Sequence, residues 1–377
     1  MDLGNLDMYG NFDKSDMLGL IMRLPEELRS AYDETVKIKI PKEVSKRRIH
    51  IKFKRPRNVV ITGMGGSAIG GDILSGWLTD KSSIPIQINR NYTLPAFVDE
   101  NSLVLAASYS GNTVETLSSF LEALKRNSMT AAITSNGRLF EYAKQLGLPI
   151  YSVPGGRPPR AALAHLFVPF AVILDKLGIE TNIEEDINDC IITLHKMRDE
   201  LKPEVTAQEN PAKSLALAIN GLIPVIYAHD TYLAAALRFK DQLSENSKYP
   251  AKYAVFPELA GNEIMCWNAD EKIVKKFVVV TMQGGDEPEE IKVGMEIATE
   301  IIKDKGINSQ KIYGRGACRL AKMFSLIYLG DFASYYLALL NDVDPTPIEL
   351  VPKIKVGIAS RTNTEEKISQ DFQSLVS

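Results

Sequence analysis

Short apolar runs alternate with amphipathic stretches through most of this chain, and the alternation predicts its secondary structure. Helical spacing of apolar residues is clearest from Thr113 to Arg126. Around it lie apolar runs with the length and composition of buried strands, at Asn58–Thr62, Ile84–Ile88, Leu103–Ala107, Thr130–Thr134 and Ile150–Val153. Alternating strands and helices predict a mainly parallel sheet with helices on both faces, an α/β fold.

A second, shorter set of the same kind follows. Its predicted strands are Leu222–Tyr227, Phe277–Thr281 and, more weakly, Lys311–Tyr313. Helical patterns accompany them at Ala234–Leu243, Pro288–Lys305 and Arg319–Asn341. No sequence repeat relates the two halves, yet both predict a three-layer α/β/α sandwich.

Changes in the pattern suggest domain boundaries. We expect a helical lead-in over residues 1–50, in which Leu18, Ile21 and Leu28 recur at roughly helical spacing. The rest divides into a first α/β domain at 51–180, a helical linker at 181–210 with a helix over Ile187–Leu201, a second α/β domain at 211–358, and a polar, partly loose tail at 359–377.

Composition and charge narrow the class of protein. A chain of 377 residues, 45% hydrophobic and 24% charged, resembles an ordinary globular protein with room for two domains. Its net charge of −3 gives no reason to expect nucleic acid or a membrane as partner. The polar start has no signal-peptide pattern, and no apolar run approaches the roughly 20 residues of a membrane span. Three widely spaced cysteines suit a reducing cytoplasm better than a disulfide framework.

Two glycine- and hydroxyl-rich loops stand out as candidate binding sites. Gly63-Met64-Gly65-Gly66-Ser67 follows the first predicted strand, and Ser108-Tyr109-Ser110-Gly111-Asn112-Thr113 follows the third. Such turns direct backbone N–H groups beyond a strand end, and a helix that begins there adds partial positive charge. We therefore expect Gly65, Gly66, Ser67, Ser108, Ser110 and Thr113 to bind one phosphate. Asn112 and Glu115 resemble a capping box for the helix that follows.

Other interpretations of these loops stay open. The first loop also matches a loose dinucleotide fingerprint, and Arg90 at the end of the second strand would suit the 2′-phosphate of NADP. The acidic residue that usually binds the ribose is missing there. A tight turn without a ligand is the plainest alternative for the first loop, and a serine-rich helix cap is the plainest for the second.

The ordered set of motifs resembles the sugar-isomerase (SIS) domain family and, within it, the bifunctional phosphoglucose/phosphomannose isomerases. Beyond the two loops, the resemblance covers about residues 50–355 and rests on Pro-Arg-Ala-Ala-Leu at 159–163, Ser-Glu-Asn-Ser-Lys at 244–248, Pro-Glu-Leu at 257–259, Asn-Glu-Ile at 262–264 and the segment Thr346–Lys353. It implies two SIS folds and a metal-free enediol isomerisation of glucose 6-phosphate or mannose 6-phosphate to fructose 6-phosphate.

The resemblance also implies roles for individual residues. Glu245, after an amphipathic helix, matches the family's base, and Arg160, in a proline-stiffened loop, matches the arginine that stabilises the enediolate. Lys353 matches a lysine that contacts the sugar and helps to open its ring. Thr346 matches a threonine that leaves room for both C2 epimers. Without the resemblance, each charged residue would be interpreted as a solvated surface group, and Arg157 is the alternative to Arg160.

One position departs from the family pattern. Gly261 stands where the family has a histidine that opens the sugar ring, and glycine transfers no proton. Lys353, Glu263, water or an open-chain substrate would have to compensate, or the activity has drifted. His229, which follows a predicted strand, is the histidine best placed to lie in a pocket, although a lone histidine is more often structural.

The sequence suggests no cofactor and no metal, because its histidines and acidic residues lack ligand spacing. The resemblance implies hexose 6-phosphates as the partners, with no nucleic acid and no membrane, in a homodimer that shares its active sites. A non-catalytic sugar-phosphate sensor and an NADP-dependent oxidoreductase remain as alternative functions.

Overall fold

The structure is a computed structural model that describes residues 3–377. Apart from a short hairpin, its strands lie in two sheets, and every pairing within those sheets is parallel. The strands are β1 (Glu43–Lys46), β2 (Ile49–Lys52), β3 (Asn58–Thr62), β4 (Ile86–Asn89), β5 (Ser102–Ala107), β6 (Met129–Thr134), β7 (Ile150–Ser152), β8 (Ile223–His229), β9 (Lys252–Phe256), β10 (Phe277–Gln283) and β11 (Asn308–Tyr313).

Helices connect these strands and flank both sheets. They are α1 (Tyr9–Phe12), α2 (Met17–Met22), α3 (Leu24–Thr35), α4 (Ile69–Leu78), α5 (Val114–Lys125), α6 (Gly137–Leu146), α7 (Leu163–Lys176), α8 (Ile183–Leu201), α9 (Pro211–Ile219), α10 (Leu233–Glu245), α11 (Glu271–Val274), α12 (Glu289–Asp304), α13 (Arg319–Leu340), α14 (Leu350–Ala359) and α15 (Thr364–Val376). This architecture confirms the predicted α/β class.

The chain forms two compact units. The five-stranded unit comprises residues 27–183 and 348–377 and carries the sheet β4-β3-β5-β6-β7. The four-stranded unit comprises the described residues up to 26 and residues 184–347, and carries the sheet β11-β10-β8-β9. The domain boundaries suggested by the sequence stay predictions.

The five-stranded sheet reverses its order between β3 and β5. From β3 the chain passes through α4 to β4 on one side, whereas β5 lies on the other side and leads through α5 to β6. Right-handed crossovers in opposite directions place α4 and α5 on opposite faces of the sheet. The six residues of β5 are all buried, as this double cover requires. Such a reversal opens a crevice at the carboxyl ends of the two strands.

The four-stranded sheet has the same connectivity. From its other edge its order is β9-β8-β10-β11, which corresponds strand by strand to β4-β3-β5-β6. The loop after β8 is therefore the counterpart of Gly63–Ser67, and the loop after β10 is the counterpart of Ser108–Thr113.

Several expectations need correction. The lead-in is helical only up to Thr35, because β1 and β2 then form an antiparallel hairpin. Strand β9 pairs with β8 but was missed, since its sequence, Lys-Tyr-Ala-Val-Phe, begins with a charged residue and shows no clear strand pattern. The tail expected to be loose contains helix α15, which buries Ile368, Phe372 and Leu375.

Helix α13 is the core helix of the four-stranded unit. Its 22 residues are long and apolar enough to cross a membrane by length and composition, which corrects the expectation that no such run exists. However, 94% of its most apolar window is buried inside the protein. Among residues 3–377 it is the one helix that meets this criterion, and burial of this kind is typical of a core helix.

Candidate active site

The two serine loops meet at the crevice of the five-stranded sheet. Strands β3 and β5 are neighbours, with Thr62 paired to Ala106, so both loops leave the same edge. The Tyr109 N–H donates to Ser67 Oγ at 3.2 Å and joins the second loop to the first. Ser67 is 5% exposed and Ser108 is 1% exposed, which fixes both hydroxyls against the core.

Hydroxyl groups also order the second loop internally. Ser108 Oγ and Thr113 Oγ1 lie 2.8 Å apart and share one hydrogen bond. Ser110 Oγ accepts from the Asn112 N–H at 3.3 Å, while the Ser110 side chain itself is exposed. A hydroxyl that is already oriented in this way can turn to a phosphate with little further loss of side-chain entropy.

The predicted capping box is wrong. Helix α5 begins at Val114, and its N-cap is Thr113, whose side chain makes no capping hydrogen bond. The side-chain oxygen of Asn112 instead accepts from the N–H of Arg138, at 3.1 Å. The first turn of α5 therefore lacks a side-chain cap, which leaves its partial positive charge for an anion.

Arg160 lies beside the first loop, in the turn Pro159–Ala162. A Cβ added to Gly66 would lie 3.1 Å from Arg160 N and 3.2 Å from Arg160 Cα, so a side chain at 66 would crowd this turn. Arg160 is 2% exposed. The backbone of Arg160 therefore lies next to the first serine loop, and the catalytic role of Arg160 remains a prediction.

Gly111 is the position in the loop that demands glycine most strictly. Its φ of +67° is a left-handed conformation, and an added Cβ would lie 1.7 Å from Asn136 O. The loop after β6 thus packs directly on the serine loop. Any side chain at 111 would force the two loops apart.

An ion-pair network holds the segment before Arg160. Glu27 on α3 accepts from Arg157 at 2.7 Å and from His165 at 2.5 Å, and His165 also contacts the hydroxyl of Tyr151 at 2.5 Å. Burial of Glu27 opposes its ionisation, but hydrogen bonds from His165 and Arg157 outweigh it and lower the pKa of Glu27 to about 2.

The same network reaches the second serine loop. The Arg157 N–H donates to Tyr109 Oη at 3.1 Å, and that hydroxyl donates to the Pro154 carbonyl at 3.3 Å. Arg157, the alternative to Arg160, therefore has a structural partner in Glu27. No pattern in the sequence pointed to Glu27, because its partners are more than 100 residues away along the chain.

The corresponding loop of the four-stranded unit already contains a carboxylate. Glu287, 5% exposed, accepts from the Gly284 N–H at 2.5 Å and from the Gly285 N–H at 2.7 Å. Asp286 in the same loop pairs with Arg319 at 3.1 Å. An internal anion thus takes the backbone donors that would otherwise receive a phosphate, so the loops suited to bind phosphate are those of the five-stranded unit.

Glu245 and Thr346 belong to the four-stranded unit, where one lysine connects their segments. Lys248 donates to the Glu245 carbonyl at 3.0 Å and to the Asp344 carbonyl at 2.7 Å. Asp344 in turn accepts from the Thr346 N–H at 2.8 Å. Lys248 lies in the Ser-Glu-Asn-Ser-Lys motif, but its bridging role was missed, because only the fold brings residue 344 to it.

A buried clamp fixes the helix that carries Glu245. On α10, Arg238 forms a two-pronged pair with Asp331 of α13, with contacts of 3.0 and 2.7 Å, and Gln242 donates to the same carboxylate at 3.0 Å. Glu245 is three residues beyond Gln242 and seven beyond Arg238, so it projects from the same side of the helix. The clamp therefore sets the rotation of α10 and the direction of Glu245.

Lys353 lies on α14 in the five-stranded unit, with its side chain exposed. The neighbouring Lys355 instead lines a cavity of about 100 Å³ at the N-terminus of α5, together with Tyr92, Asn112 and Thr113. Of the two lysines, Lys355 is therefore the one that lines this cavity beside the second serine loop.

Residue 261, a glycine where the resemblance implies a histidine, has open space around it. Gly261 is exposed, and an added Cβ would meet no atom within 4 Å. Glu263, an alternative for ring opening, is held by Lys252 at 2.6 Å. His229 ends β8, and its Nδ1 is buried without a hydrogen-bond partner among residues 3–377.

Neither an NADP site nor a metal centre finds support in the described part of the chain. Arg90, the residue considered for the 2′-phosphate of NADP, forms an ion pair with the carboxylate of Asp72. Within residues 3–377, no three His, Cys, Asp or Glu side chains come together in a group that could hold a metal ion.

Comparison with known proteins identifies close relatives. Residues 208–358 match the family model of the bacterial phospho-glucose isomerase C-terminal SIS domain. A bifunctional phosphoglucose/phosphomannose isomerase from Caldicellulosiruptor bescii is 39% identical over 344 residues, which cover 91% of this chain and 99% of that protein. Another from Aquifex aeolicus is 37% identical and covers 79% of this chain and 89% of its own length.

A solved structure supports the fold alone. A hypothetical protein from Thermus thermophilus superposes with a TM-score of 0.70 at 17% sequence identity, over 92% of this chain and 90% of that protein.

Proposed function

Because this chain belongs to the family of bifunctional phosphoglucose/phosphomannose isomerases, we propose that it interconverts glucose 6-phosphate or mannose 6-phosphate with fructose 6-phosphate. The observation that carries the proposal is the joined pair of serine loops at the crevice between β3 and β5, with Arg160 packed beside them. Hydroxyls, glycine N–H groups and an uncapped helix start together suit a phosphate monoester.

In this proposal the phosphate is the anchor. Gly65, Gly66, Ser67, Ser108, Ser110 and Thr113 hold it. The phosphate does not react, but the energy with which it binds holds C1 and C2 of the sugar in place. Remote contacts of this kind can raise turnover as well as affinity.

Glu245 is the proposed base. It removes the proton from C1 of fructose 6-phosphate to give the enediol, and it returns a proton to C2 to give the aldose. The clamp formed by Arg238, Gln242 and Asp331 supports this role by fixing the helix on which Glu245 lies. The proton stays within the site, so the step needs no oxidant and no metal.

The remaining roles follow the same division. Arg160 stabilises the enediolate through its permanent charge, Lys353 contacts the sugar, and Thr346 leaves space for either C2 epimer. With Gly261 in place of an acid, ring opening in this protein relies on another group or on substrate that is already open.

We also propose a cytoplasmic homodimer. The support within the chain is α14, on which no residue is buried. Its apolar residues Leu350, Ile354 and Val356 are 71, 65 and 68% exposed. Apolar side chains exposed in this way are typical of an interface. Light scattering during size-exclusion chromatography should give twice the chain mass of 41.8 kDa, and the chain mass itself would contradict the dimer.

A coupled assay with each hexose phosphate tests the activity. We expect fructose 6-phosphate to form from glucose 6-phosphate and from mannose 6-phosphate, and the reverse reaction to yield both aldoses. Binding of these compounds without any turnover would instead support the sugar-phosphate sensor, the alternative that Gly261 favours.

Replacement of single hydroxyls tests the phosphate site. Ser67→Ala and Ser110→Ala should each raise KM for fructose 6-phosphate by about tenfold, because each removes one hydrogen bond to a charged group. Ser152→Ala, at the end of β7 and outside both serine loops, is the control and should leave KM unchanged. Unchanged KM in the two loop variants would overturn the assignment of the serine loops as the phosphate site.

A further inference from the structure

Two of the three cysteines lie against each other in the four-stranded unit. Cys190, on α8, is completely buried, and Cys318 is the partly exposed N-cap residue of α13. The Cys318 thiol lies near enough to contribute to the raised pKa of the Cys190 thiol. The two cysteines are 128 residues apart in sequence, so this proximity exists only in the fold.

Independent contacts place Cys318 on the helical turn that ends at Cys190. Cys318 Sγ donates to the carbonyl of Asp186 at 3.7 Å. Asp186 is four residues before Cys190, so this is the carbonyl to which the Cys190 N–H points in a regular helix. The Cys318 sulfur therefore lies over the turn of α8 that carries the second sulfur.

The backbone that leads into Cys318 is fixed against α8. The carboxylate of Asp189, next to Cys190, accepts from the Ala317 and Cys318 N–H groups at 2.7 Å each. Gly316 precedes them at a φ of +114°, where an added Cβ would lie 3.2 Å from Thr193 Oγ1. These contacts hold the two thiols together without a covalent bond.

We propose that Cys190 and Cys318 form an oxidation site, at which a peroxide converts the two thiols into a reversible disulfide that joins α8 to the start of α13. The proposal concerns the four-stranded unit alone and does not depend on the isomerase activity.

The chemistry divides between the two sulfurs according to their exposure. Cys318, the accessible sulfur, attacks one peroxide oxygen as a thiolate, breaks the O–O bond and becomes a sulfenic acid. Cys190 then attacks the sulfenic sulfur, the S–OH bond breaks, and the proton of the Cys190 thiol passes to the departing hydroxyl, which leaves as water. Two thiols and one hydrogen peroxide thus give one disulfide and two waters.

Cys190 is suited to the second step rather than the first. Burial raises the pKa of its thiol well above the usual range, with further contributions from Cys318 and Asp189. A buried neutral thiol is protected from peroxide in solution, yet it lies on the turn of α8 beside Cys318, the more accessible sulfur of the pair. This arrangement favours the internal disulfide over further oxidation of Cys318.

Peptide mapping of the peroxide-treated full-length protein tests the proposal. Treatment with hydrogen peroxide, alkylation under denaturing conditions and mass spectrometry should reveal one cross-linked peptide pair, containing Cys190 and Cys318 and lacking two hydrogen atoms. Dithiothreitol should restore both thiols. The oxidised protein should also melt about 5 °C higher, since the link closes a long loop in the unfolded chain.

Variants separate this site from the third cysteine. Cys266→Ser removes an exposed thiol and should leave the cross-link intact. Cys318→Ser should abolish the cross-link and leave Cys190 open to alkylation after denaturation. If peroxide consumes Cys318 in the wild-type protein while Cys190 stays alkylatable, the proposal is wrong, and this readout needs no variant to fold.

Discussion

Residue 261 is a glycine at the position where the resemblance to the family implies a histidine. The surroundings do not explain the glycine, since its φ lies outside the left-handed region and an added Cβ would meet no atom within 4 Å. The position can therefore accept a side chain without repacking. This makes the proposed loss of the ring-opening acid directly testable.

Gly261→His should restore ring opening. We expect kcat/KM for glucose 6-phosphate, which is mostly cyclic, to rise by about tenfold or more, within the range that one general acid or base contributes. Gly261→Gln, of similar size but without a titratable group, is the matched control and should show no gain. An equal response of both variants, or no response to histidine, would mean that ring opening does not limit this protein.

Glu27 allows a prediction about pH at the same scale. Because its pKa is lowered from 4.5 to about 2, its ionisation stabilises the folded state above pH 4.5, and this stabilisation is lost as the pH falls toward 2. Glu27→Gln should lower the free energy of unfolding by about 2 kcal/mol at neutral pH. This is less than the full shift would give, because the carboxylate is partly solvated.

The measurement uses the natural distribution of tryptophan. In a Trp267→Phe background, Trp77 reports urea unfolding of the five-stranded unit between about pH 5 and pH 2.5, the range in which Glu27 loses its advantage. Glu27→Gln should flatten the pH dependence of its midpoint. Asp33→Asn on the same helix removes an exposed carboxylate and should not. Parallel curves for the wild type and Glu27→Gln would contradict the assignment.

At the scale of elements, the clamp between α10 and α13 carries the clearest prediction. Asp331→Asn leaves Arg238 buried without its opposite charge, and this should cost about 3–5 kcal/mol of unfolding free energy. The double variant Arg238→Met with Asp331→Leu removes both charges and should be far milder. Urea unfolding followed by Trp267 fluorescence checks both, and a mild Asp331→Asn combined with a severe double variant would contradict the clamp.

Sequence periodicity predicted the long helices and the buried strands well and missed the weaker strands. Strand β3 was predicted at its observed bounds, and α13 was predicted within one residue of its end. Both are long or uniformly buried, so their own composition determines them. Strand β9 and the β1–β2 hairpin form because they pair with a partner strand. A short sequence does not indicate which strand that partner will be.

The tail shows the same limit from the other side. Its sequence is polar, yet Phe372 stacks on Tyr142 with ring centroids 3.7 Å apart, and Asp371 pairs with Lys125 at 2.7 Å. A few apolar residues at helical spacing are enough to dock α15. Tertiary contacts of this kind override a prediction that rests on average polarity.

At the scale of the whole molecule, two units of one topology have different loop chemistry. In the five-stranded unit hydroxyls and glycines line the crevice. In the four-stranded unit the carboxylate of Glu287 accepts hydrogen bonds from the backbone N–H groups of the corresponding loop. The sequence was sufficient to predict the α/β class and the family, and the structure and the relatives confirm both. The filled loop could not be predicted, because it depends on how a glutamate folds back on its own turn.

The catalytic and binding roles of individual residues remain predictions. The residues concerned are distributed between the two units. The phosphate-binding residues, Arg160 and Lys353 lie in the five-stranded unit, whereas Glu245 and Thr346 lie in the four-stranded unit. The residues proposed to bind phosphate therefore lie within one unit, whereas the residues proposed for the chemistry are divided between the two.

The most direct test of the account compares turnover and binding in Glu245→Gln. The substitution keeps the shape of the side chain but removes the base, so turnover of fructose 6-phosphate should fall by about 10³-fold or more, while calorimetry gives a Kd within about threefold of the wild-type value. Near-normal turnover in this variant would contradict the central claim that Glu245 carries the proton between C1 and C2.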